Sequence, residues 1–401
     1  MRRYLTAVLL MALALPFSAC AQWYLFPGGR PANDSTTVDS RPDTVTVVSV
    51  PDSVTLADGV ADSLSVVTAE NDGIPVTSVM LLLPLRSTGT PNSNFLDFYC
   101  GVLTAADELS SDFHRYQIDI LDCDLGLPAA SRLEDFELVI GPVNPDDVQQ
   151  LIPRMRNRYL VSPLDPKVSV LTDGFNVIQA PSGWEAQADE MVRWLGEDLR
   201  GGDTVVLLQS AEDSAGELAV RIAAKLSENG ISYNVSSTPS SYEGIVRGSC
   251  RFVVASENEE FCASAVREIA LMNLKGGHNI VYSTSRIRGT GDLEVESLHA
   301  AAARITASYY ADPANPAVRR FAEQYRGLFK AEPSQWAFQG YDLMMYFGKL
   351  AADNPGLWPE ELAATPGQGL QTDFRFDATG KNNTAVRRLK YNANNTITII
   401  K

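Results

Sequence analysis

Short apolar runs alternate with amphipathic stretches from residue 79 onward, and this rhythm constrains the fold more than any other feature. Residues 79–85 form a continuous apolar run, typical of a strand buried on both faces of a parallel sheet. Residues 94–109 follow with apolar side chains at helical spacing. Further strands are predicted at 116–121, 138–140, 159–161, 204–209, 251–255, 278–282 and 304–310, and further helices at 146–156, 184–199, 212–229, 259–274, 316–329 and 334–350. The pattern predicts an α/β architecture with parallel sheets and right-handed crossovers.

Composition excludes several classes of function. The chain has 401 residues and a formal net charge of -16 without a basic stripe, which disfavours nucleic-acid binding. The three histidines lie far apart and no Cys/His pair has ligand spacing, so no metal site is expected. The sequence also lacks the nucleophile-elbow, zinc-protease and phosphate-loop motifs. We therefore predict a protein that is not an enzyme and has no catalytic residue, cofactor or metal.

The N-terminus has the layout of a secretory signal over residues 1–21. Arg2 and Arg3 precede an apolar run at 5–15, and small residues follow. Residues 17–20 are similar to a bacterial lipobox, although Phe17 stands where leucine is usual, and this would make Cys20 a lipid-modified N-terminus. An ordinary cut after Ala21 is the alternative. The predicted location is the periplasm, with membrane contact only through a lipid anchor in the outer or inner membrane.

Residues 22–76 read as an extended, disordered tether. The segment is rich in Ser, Thr, Asp, Val and Pro, contains no lysine and shows no sustained helical period. Alternation of apolar and polar residues at 44–56 allows one short strand there. A tether of this length would supply the spacer that a lipid anchor needs.

The four later cysteines leave one pairing open. Export would permit disulfides, and a bond between Cys100 and Cys123 is compatible with the sequence. Cys250 and Cys262 would lie toward opposite ends of a predicted strand, too far apart for a bond. Buried free thiols are the favoured interpretation for all four.

Several motifs beyond residue 77 occur in the order of a known fold. They are Val-Ile-Gly-Pro-Val at 139–143, Leu-Val-Ser-Pro-Leu at 160–164 and Gly-Tyr-Asp at 340–342. The chain resembles the type I periplasmic-binding-protein fold, in its Leu/Ile/Val-binding-protein branch. The phrases at 339–342 and 369–374 resemble envelope lipoproteins that carry LysM repeats before such a domain, although no LysM repeat is visible here.

The resemblance implies two Rossmann-like lobes with parallel sheets, joined by three crossovers. The expected crossings lie near Ala180, Leu298 and Asp353. Lobe 1 would then comprise residues 77–180 and 299–352, and lobe 2 residues 181–298 and 353–401. Ligands would bind between the lobes, in loops at the carboxyl ends of strands, and the lobes would close on a hinge.

The same resemblance implies a set of ligand-binding candidates in four loops. They are Val143, Asn144, Leu164, Asp165, Ser256, Glu257, Ser285 and Arg286. Two departures argue against a free α-amino acid as the ligand: 164–166 reads Leu-Asp-Pro in place of a row of hydroxyls, and 213–216 lacks the expected aromatic residue.

Some of these positions also have a structural interpretation. Ser256 with Glu259, and Ser182 with Glu185, match capping boxes that open helices, and Arg286 suits a solvated loop. The aromatic residues between 336 and 347 stand at helical spacing, which is typical of a core.

Two hypotheses of function remain. The first is a non-enzymatic, membrane-tethered binding protein that captures a small-molecule ligand between its lobes for uptake or sensing. The second is an interaction protein that has lost its solute site and docks a cell-envelope protein such as a peptidoglycan enzyme.

Overall fold

The computed structural model describes residues 64–65, 73–156, 158–164, 175–210, 212, 216–244 and 249–400. The strands are β1 Leu64–Ser65, β2 Val76–Leu83, β3 Arg115–Asp122, β4 Leu138–Ile140, β5 Leu160–Ser162, β6 Val177–Gln179, β7 Thr204–Leu208, β8 Asn234–Ser236, β9 Cys250–Val254, β10 Ile280–Thr284, β11 Arg304–Ala307, β12 Gly367–Gln368, β13 Asp373–Phe374, β14 Arg387–Tyr391 and β15 Ile397–Ile400. The helices are α1 Ser93–Leu109, α2 Ala130–Leu133, α3 Pro145–Met155, α4 Trp184–Asp198, α5 Glu217–Glu228, α6 Glu259–Leu274, α7 Val295–Ala300, α8 Pro316–Phe329, α9 Gln335–Leu343, α10 Lys349–Asp353 and α11 Trp358–Glu361. A π-helical turn, Met344–Gly348, joins α9 to α10.

Two sheets organise these elements, as the alternation of strands and helices predicts. The first has the order β1-β3-β2-β4-β5-β6, and all its pairs are parallel except β1 with β3. The second has the order β15-β14-β11-β10-β9-β7-β8, in which β14 and β15 are antiparallel additions to a parallel core. The α/β class with two Rossmann-like lobes is therefore confirmed.

Two of the lobe boundaries lie further along the chain than the sequence led us to expect. β11 pairs with β10 and β14 in the second sheet, so the second crossing follows residue 307 and not Leu298. Trp358, Phe374 and Phe376 pack in the core of the first sheet, so the third crossing follows residue 376 and not Asp353. The sequence did not predict the short helix α7, which stands where the second crossing was expected. This helix packs on α6.

Within the predicted tether, Leu64–Ser65 pairs antiparallel with Asp119 and Ile120 of β3, so this part of 22–76 is not an unstructured linker. The signal peptide, Cys20 and the strand considered at 44–56 lie outside the described residues. None of the helices within the described ranges is long and apolar enough to cross a membrane. Cys100, Cys123, Cys250 and Cys262 are free thiols, so the bond between Cys100 and Cys123 is absent.

Helices α1 and α9 cross at two glycines on the first sheet. A Cβ atom on Gly101 would lie 2.0 Å from the carbonyl oxygen of Ala337, and one on Gly340 would lie 2.0 Å from that of Phe98. Only glycine permits this approach of the two backbones. The aromatic residues of this region serve the core as predicted: Phe338, Tyr341 and Phe347 are buried, and Trp336 and Tyr346 are partly buried. This close contact between α1 and α9 fixes the position of α9. Helix α9 carries two polar side chains that bond near the connections between the lobes, as described below.

Candidate functional site

The candidate ligand residues follow the carboxyl ends of neighbouring strands. Val143 and Asn144 follow β4, and Leu164 follows β5, its neighbour in the first sheet. The loops after β9 and β10, neighbours in the second sheet, carry the other four, namely Ser256, Glu257, Ser285 and Arg286. Each sheet therefore brings its own candidates together at one edge, as parallel strands require. Asp165 lies outside the described residues.

In lobe 1 these side chains serve the local structure. The Asn144 side chain accepts a hydrogen bond from the Asp146 N–H at 3.1 Å and so caps α3. Val143 and Leu164 pack against the first core. The carbonyl oxygen of Leu164 accepts a hydrogen bond from the Tyr309 hydroxyl at 3.4 Å, which links this loop to the second crossing.

In lobe 2 the loop after β9 is also internally bonded. Asn258, and not Ser256, caps α6, because its side chain accepts from the Phe261 N–H at 2.9 Å. The hydroxyl of Ser256 accepts from the Asn258 N–H at 3.1 Å, so the predicted capping box is wrong by two positions. Glu257 forms an exposed ion pair of 2.7 Å with Arg286. The two charged candidates thus face each other.

Ser285 is held by a residue that the sequence did not single out. Its N–H and its hydroxyl both donate to Oε1 of Gln187, at 3.1 Å and 2.8 Å. A cavity of about 10 Å³ lies beside this loop, lined by Ser256, Ser283, Thr284, Arg286 and Thr290 among others. Its volume suits a single water molecule and not a solute.

The first and second crossings between the lobes are hydrogen-bonded to each other. The Ser308 hydroxyl donates to the Ser182 carbonyl oxygen at 2.6 Å, and the two hydroxyls lie 2.8 Å apart. Nε2 of Gln187 donates to the Ser308 hydroxyl at 3.0 Å. The predicted capping role of Ser182 is therefore wrong: Gly183 is the N-cap of α4, and the Ser182 side chain serves the crossing instead.

The third crossing joins the other two through amides and a guanidinium. Nδ2 of Asn383 donates to the Ala180 carbonyl oxygen at 2.7 Å. The Gln179 N–H donates to the Lys381 carbonyl oxygen, also at 2.7 Å. Arg387 donates to the carbonyl oxygens of Tyr310 and Leu370 and forms an ion pair with Asp373. All three crossings thus form one hydrogen-bonded bundle.

Helix α9 secures the approach to the third crossing. The Asp342 carboxylate accepts from the N–H groups of Leu370, Gln371 and Thr372, at 2.6, 2.8 and 2.9 Å. Burial raises the pKa of Asp342 to about 6, although these hydrogen bonds and Arg387 act to lower it. Gln339, one turn earlier, donates to the Pro163 carbonyl oxygen at 3.0 Å and accepts from the Thr372 hydroxyl at 2.7 Å.

Sequence reasoning missed Gln187, Gln339, Asn383 and Arg387. The first two carried a usable signal, because each is a polar residue on the apolar face of a helix. Gln187 stands beside buried Ala188 on α4, and Gln339 lies in the fully buried run 337–343 of α9. Buried polar side chains must find partners, which marks such positions for inspection.

Comparisons with known proteins agree with this architecture. The family model described as periplasmic binding protein matches residues 121–365, more than half of the chain. No curated protein matches the chain. A leucine complex of an ABC transporter substrate-binding protein from Desulfitobacterium hafniense is 14% identical, covers 81% of this chain and 100% of its own, and has a TM-score of 0.50.

Two further solved structures are similar. One, from Rhodospirillum rubrum, is described as a candidate branched-chain amino acid ABC transporter; it is 15% identical, covers 81% of this chain and 100% of its own, and has a TM-score of 0.58. The other is the C-domain of LpoA from Haemophilus influenzae, a regulator of PBP1A, at 12% identity, the same coverages and a TM-score of 0.47. At identities this low, the structures from Desulfitobacterium hafniense and Rhodospirillum rubrum show the fold alone. With the family match, the two parallel sheets and their three crossings, the chain belongs to the periplasmic binding protein family, with the type I fold.

Proposed function

We propose that this protein captures a small solute between its two lobes in the periplasm, for uptake or sensing. The observation that carries the proposal is the hydrogen-bonded bundle of three crossings, which joins two sheets at the edge where their loops carry polar groups. Ser182 and Ser308 connect the first two crossings, and Asn383 connects the third to the first. The two sheets have separate cores, and a hinge motion at the crossings between them would close the loops around a ligand.

The ligand contacts that we propose are Ser285 and Arg286 in lobe 2, with Leu164, Asp165, Val143 and Asn144 in lobe 1. Ser256 and Glu257 complete the set. Arg286 and Glu257 are exposed at 58% and 47% of their side chains, so their ion pair can open to a charged ligand at little cost. The lipid anchor at Cys20 would hold the protein at the outer or inner membrane, and we propose that it supplies the only membrane contact.

A second function is favoured by one specific observation: the polar side chains of the lobe 2 loops already have partners within the protein. Ser285 is bound by Gln187, Arg286 is bound by Glu257, and the neighbouring cavity holds about 10 Å³. A chain whose ligand loops stay closed in this way would instead dock a cell-envelope protein, such as an enzyme of peptidoglycan synthesis, and regulate it.

A thermal-shift screen separates the two functions. The purified protein is heated with branched-chain and other amino acids, short peptides and muropeptides, each in excess. A ligand that binds only the folded protein raises the unfolding midpoint by mass action. Solute capture predicts that at least one compound raises the unfolding midpoint. The double variant Arg286→Ala, Ser285→Ala should abolish this shift. The control variant Ser227→Ala, on the remote helix α5, should show the same shift as the wild type. No shift with any compound would favour the docking function.

A further inference from the structure

We propose that Gln187 and Gln339 are positioning residues that couple the candidate ligand loops to the hinge. The inference rests on the proposed solute capture and deepens it, because it states how occupancy of a loop reaches the crossings. In lobe 2, buried Gln187 contacts a ligand loop with one end of its amide and a crossing with the other. In lobe 1, buried Gln339 contacts a ligand loop directly and reaches a crossing through Gln371.

In lobe 2 the connection runs from Ser285 to both of the first two crossings. Gln187 is 7% exposed, and its Oε1 atom accepts the N–H and hydroxyl hydrogens of Ser285. Its Nε2 atom donates to Ser308 at 3.0 Å, and the Ser308 hydroxyl donates onward to the Ser182 carbonyl oxygen at 2.6 Å. Because an amide has a donor end and an acceptor end, one side chain can serve both partners at once.

In lobe 1 the connection to a crossing is indirect. Gln339 is 1% exposed, and its Nε2 atom donates to the carbonyl oxygen of Pro163, next to Leu164. Its Oε1 atom accepts from the Thr372 hydroxyl at 2.7 Å and from Gln371 at 3.2 Å. The carbonyl oxygen of Gln371 accepts the Tyr310 N–H at 3.0 Å, so this relay also ends on the second crossing.

The lobe 2 relay has a further consequence for the class of ligand. The Oε1 atom of Gln187 occupies the point on which the N–H and hydroxyl of Ser285 converge. Two converging donors recognise a carbonyl or carboxylate oxygen. A ligand oxygen that takes this point must displace Gln187, because the Ser285 hydroxyl has only one hydrogen to donate. Displacement frees the amide that holds Ser308, so ligand binding at Ser285 and movement of the second crossing become linked, and the linkage is reciprocal.

The test uses the full chain without any ligand and measures hydrogen exchange of the crossings by mass spectrometry. Ser285→Ala removes the hydroxyl that is bound by Gln187 and touches neither crossing directly. The relay predicts faster exchange of the amides in 306–312, by about threefold or more, because the amide of Gln187 loses the shorter of its two hydrogen bonds from Ser285. Ser227→Ala is the matched control, since its hydroxyl bonds the Ala223 carbonyl oxygen of its own helix, and it should leave these amides unchanged.

Substitutions of the glutamine separate its two ends. Gln187→Glu keeps the oxygen that accepts from Ser285 and loses the donor to Ser308, so exchange should rise at 306–312 and not at the N–H of Ser285. Gln187→Ala should raise both. Ser285→Ala with wild-type exchange at 306–312, or Gln187→Glu with unchanged crossings, would overturn the relay.

This outcome is independent of the thermal-shift screen. Exchange that responds as predicted in a protein that binds no compound would contradict solute capture and leave the coupling intact. If the protein binds a compound but Ser285→Ala does not change hydrogen exchange at 306–312, only the coupling is contradicted.

Discussion

Replacement of Asp342 by Asn should change how the stability of the protein depends on pH. The Asp342 carboxylate is buried against the N–H groups of Leu370, Gln371 and Thr372, and burial raises its pKa from the ordinary 3.8 to about 6. The folded chain therefore takes up this proton more readily than the unfolded chain. The stabilisation from that proton is fully present below pH 3.8 and is lost as the pH rises through about 6.

The size of the effect follows from the two pKa values. A pKa rise from 3.8 to about 6 corresponds to roughly 3 kcal/mol at neutral pH, at about 1.4 kcal/mol per pKa unit. About 2 kcal/mol of this change falls between roughly pH 4.5 and pH 7.5. Asparagine stays neutral throughout. The free energy of unfolding of the wild type should therefore fall by about 2 kcal/mol more than that of Asp342→Asn across this range.

Urea unfolding followed by tryptophan fluorescence measures this difference at a series of pH values. The matched control is Asp122→Asn in the same lobe. Burial alone would raise the pKa of Asp122, but hydrogen bonds from Ser87, Leu85 and Asp124 hold it below 3.8, so its contribution is lost only under more acidic conditions. Its curve should run parallel to the wild type above about pH 4.5. An Asp342→Asn curve that is also parallel to the wild type would show that burial does not raise the pKa of Asp342.

Three further predictions concern other parts of the chain. Gly340→Ala should lower the free energy of unfolding by roughly 2–4 kcal/mol in urea, because the new Cβ would lie 2.0 Å from the Phe98 carbonyl oxygen; a loss under about 0.5 kcal/mol would contradict the close crossing. Arg388→Met should cost about 2 kcal/mol in the same assay, because Glu190, 12% exposed, loses one of its two guanidinium partners and keeps Arg193; an unchanged midpoint would contradict this. Cys20→Ala should abolish labelling by radioactive palmitate and release the protein from membranes; unchanged retention would count against the lipid anchor.

Most of the fold could be predicted from the sequence because its helices and strands have strong local signals. Glu259–Leu274 and Pro316–Phe329 have the predicted bounds, and Val76–Leu83 begins three residues before its apolar run. The misses are short elements: Val177–Gln179 and Val295–Ala300 contain too few residues to show a period. The lobe boundaries moved for another reason: the sheet that β11 joins, and the core in which Phe374 and Phe376 pack, depend on contacts between segments distant in sequence.

The location of the candidate site could be predicted from the sequence, but the hydrogen-bond partners of its residues could not. Strand ends follow from the apolar runs, so the loops with Asn144, Ser256 and Ser285 were found. The partners of these residues are distant in sequence: 98 residues separate Gln187 from Ser285, and 121 separate it from Ser308. Such pairings depend on how two sheets are joined, and no local pattern reports them. The assignment of Ser182 to a helix cap failed on this ground.

A distance measurement between the lobes tests whether the three bonded crossings act as a hinge around a ligand site. Spin labels at Gln150 on α3 and Ser264 on α6, both exposed, report one lobe each. A hinge at the crossings predicts that the distance shortens in the presence of a compound that raises the unfolding midpoint. It also predicts that the distance distribution of Ser308→Ala broadens without ligand. A single narrow distance, unchanged by every compound in the panel and by Ser308→Ala, would contradict it.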